Sequence, residues 1–381
     1  MPKNSIPRRY TGRKRVRPIW ILCAILLLAA LFLLYSWRTD PNFREAVSHL
    51  TATHGQEEPA TDEANTNTPS PPDAPSSDAP SSDGETSSDG PSDSPLPENS
   101  AGLLPEGLLL TLSPERVRQD MASAVREAAE LGAAGVVVDL KQQGGEILYR
   151  SSLQNAAVAR AMSEDAFDLE ALHTLCRENG LLLVGRFSAF LDHLAAGALP
   201  DACTCVTGGV PFLDGNYRRS LDPYRTQALS YLTLLLEEIC PMVDCVLLSD
   251  LAFPSYGKLS LIDYPDAPDK ASQLLSCLGG LQDTAQGLGS ALWLEVPHQA
   301  LTDQAYAAAS GQTYLEQLSQ EDGAPPVVLS LPDGMAQEAL RQSLSLLPAS
   351  LQATLLLHAP AEQALSLCEA LSLNGILCRP D

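Results

Sequence analysis

From residue 108 onward the chain alternates short apolar runs with longer amphipathic ones. The clearest run is Val136–Val138, three β-branched residues without polar alternation, which predicts a strand buried on both faces. It ends in Asp139 and Lys141, and the period of two expects both charges on one side of the strand. Read the same way, strands are predicted at 108–112, 135–140, 181–187, 244–249, 291–296, 327–331, 353–358 and 375–378. Helices are predicted between them at 114–131, 168–179, 223–239, 267–287, 303–319, 334–346 and 360–373. Ser113 before Pro114 reads as an N-cap, and Asn179-Gly180 reads as a helix stop. Eight strands alternating with helices over about 280 residues predict an α/β fold, a (β/α)8 TIM barrel. The competing fold is an open doubly wound sheet, but no Gly-rich phosphate loop follows an early strand.

Upstream the pattern is different. Residues 19–37 are apolar and uncharged, with Trp20, Tyr35 and Trp37 near the ends, which predicts a transmembrane signal anchor. Seven Lys or Arg precede it, so residues 1–18 are expected in the cytoplasm and the barrel outside the cell membrane. Residues 38–101 are rich in Pro, Ser and Asp and read as a disordered linker, leaving 102–381 for the barrel. The formal net charge of −23 sits mainly after residue 50, which excludes nucleic acid as a partner. Cys203-Thr-Cys205 is too tight for the usual zinc spacing, and the other cysteines are scattered through apolar segments. Most are expected in the core, with one or two disulfides left open. No metal and no cofactor is expected.

The candidate chemistry lies where the strands end, because a parallel barrel builds its site on that face. Those ends carry Asp139, Lys141, Arg186, Ser249, Asp250, Glu295, Ser330, His358 and Arg379, and the loop after the third strand adds Asp192, His193, Asp214 and Asp222. This polar rim suits a polyhydroxyl ligand better than a lipid. Tyr149, Phe190, Tyr217, Tyr224 and Tyr256 are the aromatics that could stack a sugar, or simply pack. Glycoside hydrolysis needs two carboxyl groups, one protonated and one ionised. Asp250 and Glu295, on neighbouring strands, are the expected catalytic pair. The plainer readings are an Asp139–Lys141 rim ion pair, a turn-capping Asp250, a Glu295 paired to an Arg and a structural His358.

These residues also resemble a family, the glycoside-hydrolase-like (β/α)8 barrels of bacterial envelope proteins, whose members are often secreted or membrane-anchored. The resemblance spans about residues 105–265. The family pattern Val-Ile-Asp-x-Lys, then Gly and Tyr, is met by Val137-Val138-Asp139-Leu140-Lys141, Gly144 or Gly145, and Tyr149. Arg followed by Phe-Lys-Asp is met by Arg186 and Phe190-Leu191-Asp192, and Asp-Pro by Asp222-Pro223. Phe-Asp-Tyr-Val-Arg-Phe-Pro falls on Leu248–Pro254. Here Leu191 replaces the family Lys, Ala252 replaces the Arg, and the Asp is displaced from position 249 to Asp250. In a strand a one-residue displacement turns a side chain to the other face, unless a bulge or the strand end absorbs it.

The resemblance implies Asp139, Lys141, Tyr149, Arg186, Asp192 and Asp222 as substrate-binding residues, and the end of the seventh strand adds His358 as a candidate. The expected function is hydrolysis of a cell-envelope or environmental polysaccharide by a membrane-anchored enzyme. The alternative is an inactive barrel that binds glycans or scaffolds the envelope.

Overall fold

The structure is a computed structural model that describes residues 107–352, 354–360 and 375–379. The tail, the expected membrane span at 19–37, the linker and all but the first residue of the helix expected at 360–373 lie outside the described residues. Among the described residues no helix is long and apolar enough to cross a membrane.

Eight parallel strands pair in a closed ring. They are β1 (Gly107–Leu112), β2 (Gly135–Lys141), β5 (Leu182–Ser188), β8 (Cys245–Ser249), β9 (Ala291–Pro297), β10 (Val327–Ser330), β11 (Leu356–Pro360) and β12 (Gly375–Arg379). Each pairs with the next in that order, and β12 returns to β1. The result is a mostly parallel α/β sheet of TIM-barrel-like form.

The helices between strands follow from local chemistry. α1 (Pro114–Glu130) starts where Ser113 accepts the Arg116 N–H at 3.2 Å. α3 (Leu169–Glu178) is capped by Asp168, and α6 (Lys270–Gly287) by Asp269. α5 (Thr226–Ile239) begins three residues later than the pattern predicts. Asp222 accepts the Tyr224 N–H at 3.0 Å and pairs with Arg225, which makes 222–225 a turn.

Three predicted elements are corrected. The stretch between β2 and α3 is not plain loop. It forms β3 (Ile147–Tyr149), α2 (Ala156–Ala161) and β4 (Met162–Phe167), with β3 antiparallel to β2. The helix predicted at 303–319 is broken by Gly311 at φ +77° into α8 (Gln304–Ser310) and α9 (Leu315–Leu318), after a single turn α7 (Gln299–Thr302). The seventh ring strand starts at Leu356 rather than 353, because Ala349–Gln352 forms the short α11, which follows α10 (Gln337–Leu344). The long excursion after β5 holds α4 (His193–Ala198) and a two-stranded hairpin, β6 (Cys205–Val206) with β7 (Val210–Pro211).

The ring interior is a separate apolar cluster of Leu109, Val137, Val184, Leu247, Trp293, Val328 and Leu356, all fully buried. Two residues further along the same strands stand Thr111, Asp139, Arg186, Ser249, Glu295, Ser330 and His358. The period of two therefore stacks a polar layer on an apolar plug, at the carboxyl mouth.

Lys141 departs from that layer. β2 is bulged, with Asp139 opposite Arg186 and Lys141 opposite Phe187, so Leu140 is the extra residue. Gly185 makes room for it, since a Cβ there would stand 2.5 Å from Leu140 Cδ1. Lys141 is thereby turned away from Asp139, and the expected Asp139–Lys141 pair does not form. Its ammonium meets Asp192 at 2.9 Å instead, both side chains fully buried, and donates to the Ser188 and Ala189 carbonyls. Gly145, at φ +102°, lies flat on that carboxylate: a Cβ would fall 1.9 Å from Asp192 Oδ1.

Breaking one partner of such a pair strands a buried charge. Lys141→Met is expected to cost about 3–5 kcal/mol of unfolding free energy in urea melts. Asp192→Asn keeps the α4 cap at Ala195 N yet loses the charge. In the double variant the two losses should fall short of their sum by more than about 1 kcal/mol.

Candidate functional site

The polar layer is organised by Glu295. Its Oε2 accepts from Arg186 Nε at 2.6 Å, and its Oε1 accepts from His358 Nδ1 at 2.9 Å. Both residues arrive from other strands, and Glu295 is only 3% exposed. Burial opposes its ionisation, but the His358 hydrogen bond and the Arg186 charge outweigh it and hold the carboxyl down at about 2. Arg186 is pulled in two directions. Burial disfavours its charge, while Glu295 and then Asp139 more than compensate, so its acidity falls below that of a free guanidinium. Asp139 lies 3.5 Å from Arg186 Nη1 and keeps 21% of its side chain exposed.

Asp250 reaches the same space by backbone conformation. It follows the last residue of β8 at φ +52°, one of two non-glycine residues in the left-handed region among the described residues. Continued as a strand, position 250 would face away from Ser249. The left-handed turn brings it back, and Ser249 and Asp250 line one cleft. This is how the chain absorbs the one-residue displacement. Ser188 Oγ donates to Asp250 Oδ2 at 2.7 Å, and Gln143 Nε2 donates to Oδ1 at 3.0 Å. Burial pushes the Asp250 carboxyl above its ordinary range, despite these bonds and the Arg186 charge, and Glu295 adds to the rise.

The cleft has two connected lobes. One, about 240 Å³, is lined by Asp139, Gln143, Arg186 and Asp250. The other, about 160 Å³, is lined by Asp250, Ala252, Glu295, Tyr306, Gln312 and Ser330. A larger hollow of about 690 Å³ lies elsewhere, between α1 and β4, and shares none of these residues.

The structure thus gathers Asp139, Arg186, Ser249, Asp250, Glu295 and Ser330 around one cleft, with His358 behind Glu295. Other expected site residues are placed away from it or shut off. Lys141 touches the cleft wall, but its ammonium is taken by Asp192. Tyr149 is fully buried and donates to Glu238 on α5 at 2.8 Å, which joins the loop after β2 to the helix layer. Asp222 shapes the turn before α5, and its carboxyl is raised by burial. His193 Nδ1 accepts the Arg219 N–H at 2.9 Å. Arg379 ends β12 opposite Pro360. Cleft residues that escaped the sequence reading include Gln143, Tyr306 and Gln312, and so did Ser188, which holds Asp250 from outside the lining. Ser188 carried a signal, two positions after Arg186 on one strand, whereas Tyr306 and Gln312 lie in a stretch that reads as one helix.

Among the described residues no group of three or more His, Cys, Asp or Glu could hold a metal ion. Cys176, Cys203, Cys205, Cys240, Cys245 and Cys277 are free thiols, and burial pushes Cys176 and Cys240 up to about 12. None of these six thiols lines the cleft.

Residues 107–288 match a family model described as "Putative glycosyl hydrolase domain". The chain resembles that glycosyl hydrolase family. The matched segment runs from β1 to the end of α6 and carries Asp139, Arg186 and Asp250. No curated protein matches the chain. Among solved structures, the glycoside hydrolase domain of PgaB (BpsB) from Bordetella bronchiseptica aligns with a TM-score of 0.55 at 14% identity, over 72% of this chain and 94% of that one. A hypothetical protein from Ruminiclostridium thermocellum aligns at 19% identity and TM-score 0.44, over 49% of this chain and 96% of its own. A Flavobacterium johnsoniae chitobiase aligns at 12% identity and TM-score 0.46, over 72% of this chain and 44% of that one. At these identities the likeness is one of fold.

The Glu295 environment sets a pH dependence for this glycosyl-hydrolase-like domain. Its folded pKa lies below its ordinary 4.5, so the stabilisation is complete above pH 4.5 and is lost as pH falls through about 2. Unfolding free energy measured from pH 6 down to pH 2 should fall more steeply for the parent chain than for Glu295→Gln.

Proposed function

We propose that this chain is a glycoside hydrolase acting on a cell-envelope or environmental polysaccharide. One observation carries the reading: two carboxyl groups, Asp250 and Asp139, line one lobe of a cleft at the barrel mouth together with Arg186, which pairs with Asp139. Asp250, raised by burial, is suited to donate its proton to the glycosidic oxygen as the bond breaks. Asp139, partly exposed, is suited to face the positive charge that develops at the anomeric carbon and to assist the incoming water. Sequence reasoning paired Asp250 with Glu295. The geometry favours Asp139 for the second role, because both Glu295 oxygens are occupied by Arg186 and His358. Glu295 then acts as the anchor that fixes Arg186 beside Asp139.

The proposal includes anchoring by residues 19–37 with the barrel outside the membrane. It is supported by the uncharged apolar run and the excess of Lys and Arg before it.

A second reading, a barrel that binds glycan without cleaving it, is favoured by Leu191 and Ala252. They put apolar groups on the cleft wall where the resembled family has Lys and Arg.

Reducing-end release from polysaccharide separates the two readings. Asp250→Asn and Asp139→Asn should each lower kcat by about 100-fold or more at unchanged thermal stability. Parent activity should decline as pH rises through the Asp250 pKa, which lies above 3.8. Binding by the parent chain with no reducing ends formed would establish the second reading.

A further inference from the structure

We infer that the groove leading out of the catalytic cleft is an additional sugar subsite with Tyr256 as its platform, and that its ligand is a neutral polysaccharide chain rather than a lone terminal sugar. The inference rests on the hydrolase reading above and extends it.

The cleft does not end at Asp250. Gln143, Leu191 and Tyr306 also line a further hollow of about 190 Å³ that runs out to Asp214, Arg218 and Tyr256. Of the aromatics that the sequence offered for stacking, Tyr149 and Phe190 are fully buried, and Tyr224 packs against Phe253 and Tyr264. Tyr217 and Tyr256 are exposed, at 80% and 61%, and of these only Tyr256 lines the hollow.

Tyr256 is exposed but not free. A Cβ at Gly215 would fall 1.9 Å from its Cε1, so the ring lies directly on the backbone there. Gly257 returns the contact: at φ +108°, its Cβ would stand 3.1 Å from Gly215 N. Asp214 stiffens the supporting loop by accepting the Asn216 and Arg218 N–H groups at 2.7 and 2.8 Å. Two loops from different parts of the chain therefore interlock to present one aromatic ring to solvent. A large apolar face held rigid in water is a recognition surface, because its burial by a ligand is favourable and its ordering is already complete. A pyranose ring offers the flat, hydroxyl-rimmed partner that fits such a face.

The charge of the groove selects the sugar. Arg186 is committed to Glu295 and Asp139, and Lys141 to Asp192. Leu191, Ala252 and Pro297 give the wall apolar character. In the outer hollow Arg218 and Arg219 face the same space as Asp214, whereas the inner lobes hold Asp139, Asp250 and Glu295 around Arg186. The groove as a whole therefore carries no excess of positive charge to neutralise a uronate or phosphate polymer.

The test uses the full chain carrying Asp250→Asn, so that ligands persist, and isothermal titration with defined sugars. The probes are the β-1,4-linked hexamers and dimers of N-acetylglucosamine, glucose and mannose, with the galacturonate hexamer as the anionic control. At least one neutral hexamer should bind about tenfold more tightly than its dimer and than the galacturonate hexamer. Adding Tyr256→Ala should erase that length preference, and Tyr256→Trp should restore it. Equal affinity for hexamer and dimer, no effect of Tyr256→Ala, or preference for galacturonate would overturn the subsite. If the Asp250-intact chain cleaves a hexamer regardless of Tyr256, the subsite alone fails. Binding through Tyr256 without cleavage by that chain leaves the subsite standing and removes the hydrolase reading, and absence of binding to every probe removes both.

Discussion

A lysine ammonium and an aspartate carboxylate, both shut away from water, hold the mouth of this barrel in shape. Lys141 pairs with Asp192 and donates to two carbonyls at the end of β5, so the buried charge is met by its opposite and by backbone acceptors. Such a pair adds little net stability over an apolar contact, but it tolerates few alternative arrangements. Here it fixes the loop after β2 against the loop after β5. Gly144 takes part through its backbone: its N–H donates to Leu191, and its carbonyl accepts from His193 and Leu194. The same clamp carries Gln143 to Asp250 and sets Leu191 on the cleft wall. The motif residues shared with the resembled family, Lys141, Gly145 and Asp192, are in this light scaffolding that presents the chemistry.

The charges that face the cleft obey a different constraint. The apolar plug beneath them, with Trp293 and Val137 at its heart, excludes water from below, so each ionisable group depends on its neighbours. Glu295 has two hydrogen-bonded partners and is driven far toward the charged form, while Asp250 has two neutral donors and a distant guanidinium and is driven the other way. Two carboxyl groups in one small space thus come to differ in acidity through their surroundings alone: Glu295 is held charged as the anchor of Arg186, while Asp250 is left able to keep its proton.

Much of this was legible from the residues, for identifiable reasons. Ring strands such as β2 and β8 announce themselves because they are buried on both faces and read as nearly continuous apolar runs. The polar layer followed from the period of two, which placed Arg186, Glu295 and His358 correctly. That rule failed at Lys141, because the bulge at Leu140 depends on a distant glycine, Gly185, with no local signature. It also could not foresee that Asp250 turns back through the left-handed region. The β3 strand was hidden by its length of three residues, and the break at Gly311 by a helical pattern continuing on both sides. Tyr306 and Gln312 reach the cleft only because of that break.

The closed ring has no free margin, yet the chain makes one. β3 and β4 extend the sheet outward from β2, and β4 stands last in the strand order, with nothing paired to its outer side among the described residues. An unpaired strand of this kind invites a stranger's backbone to add itself, the first step toward self-association. β4 carries Glu164 and Asp165, both exposed, in the middle of its Met-Ser-Glu-Asp-Ala-Phe sequence. Two adjacent negative charges there repel a second copy of the same strand, so the barrel keeps its appended ribbon without offering it as a seam for aggregation.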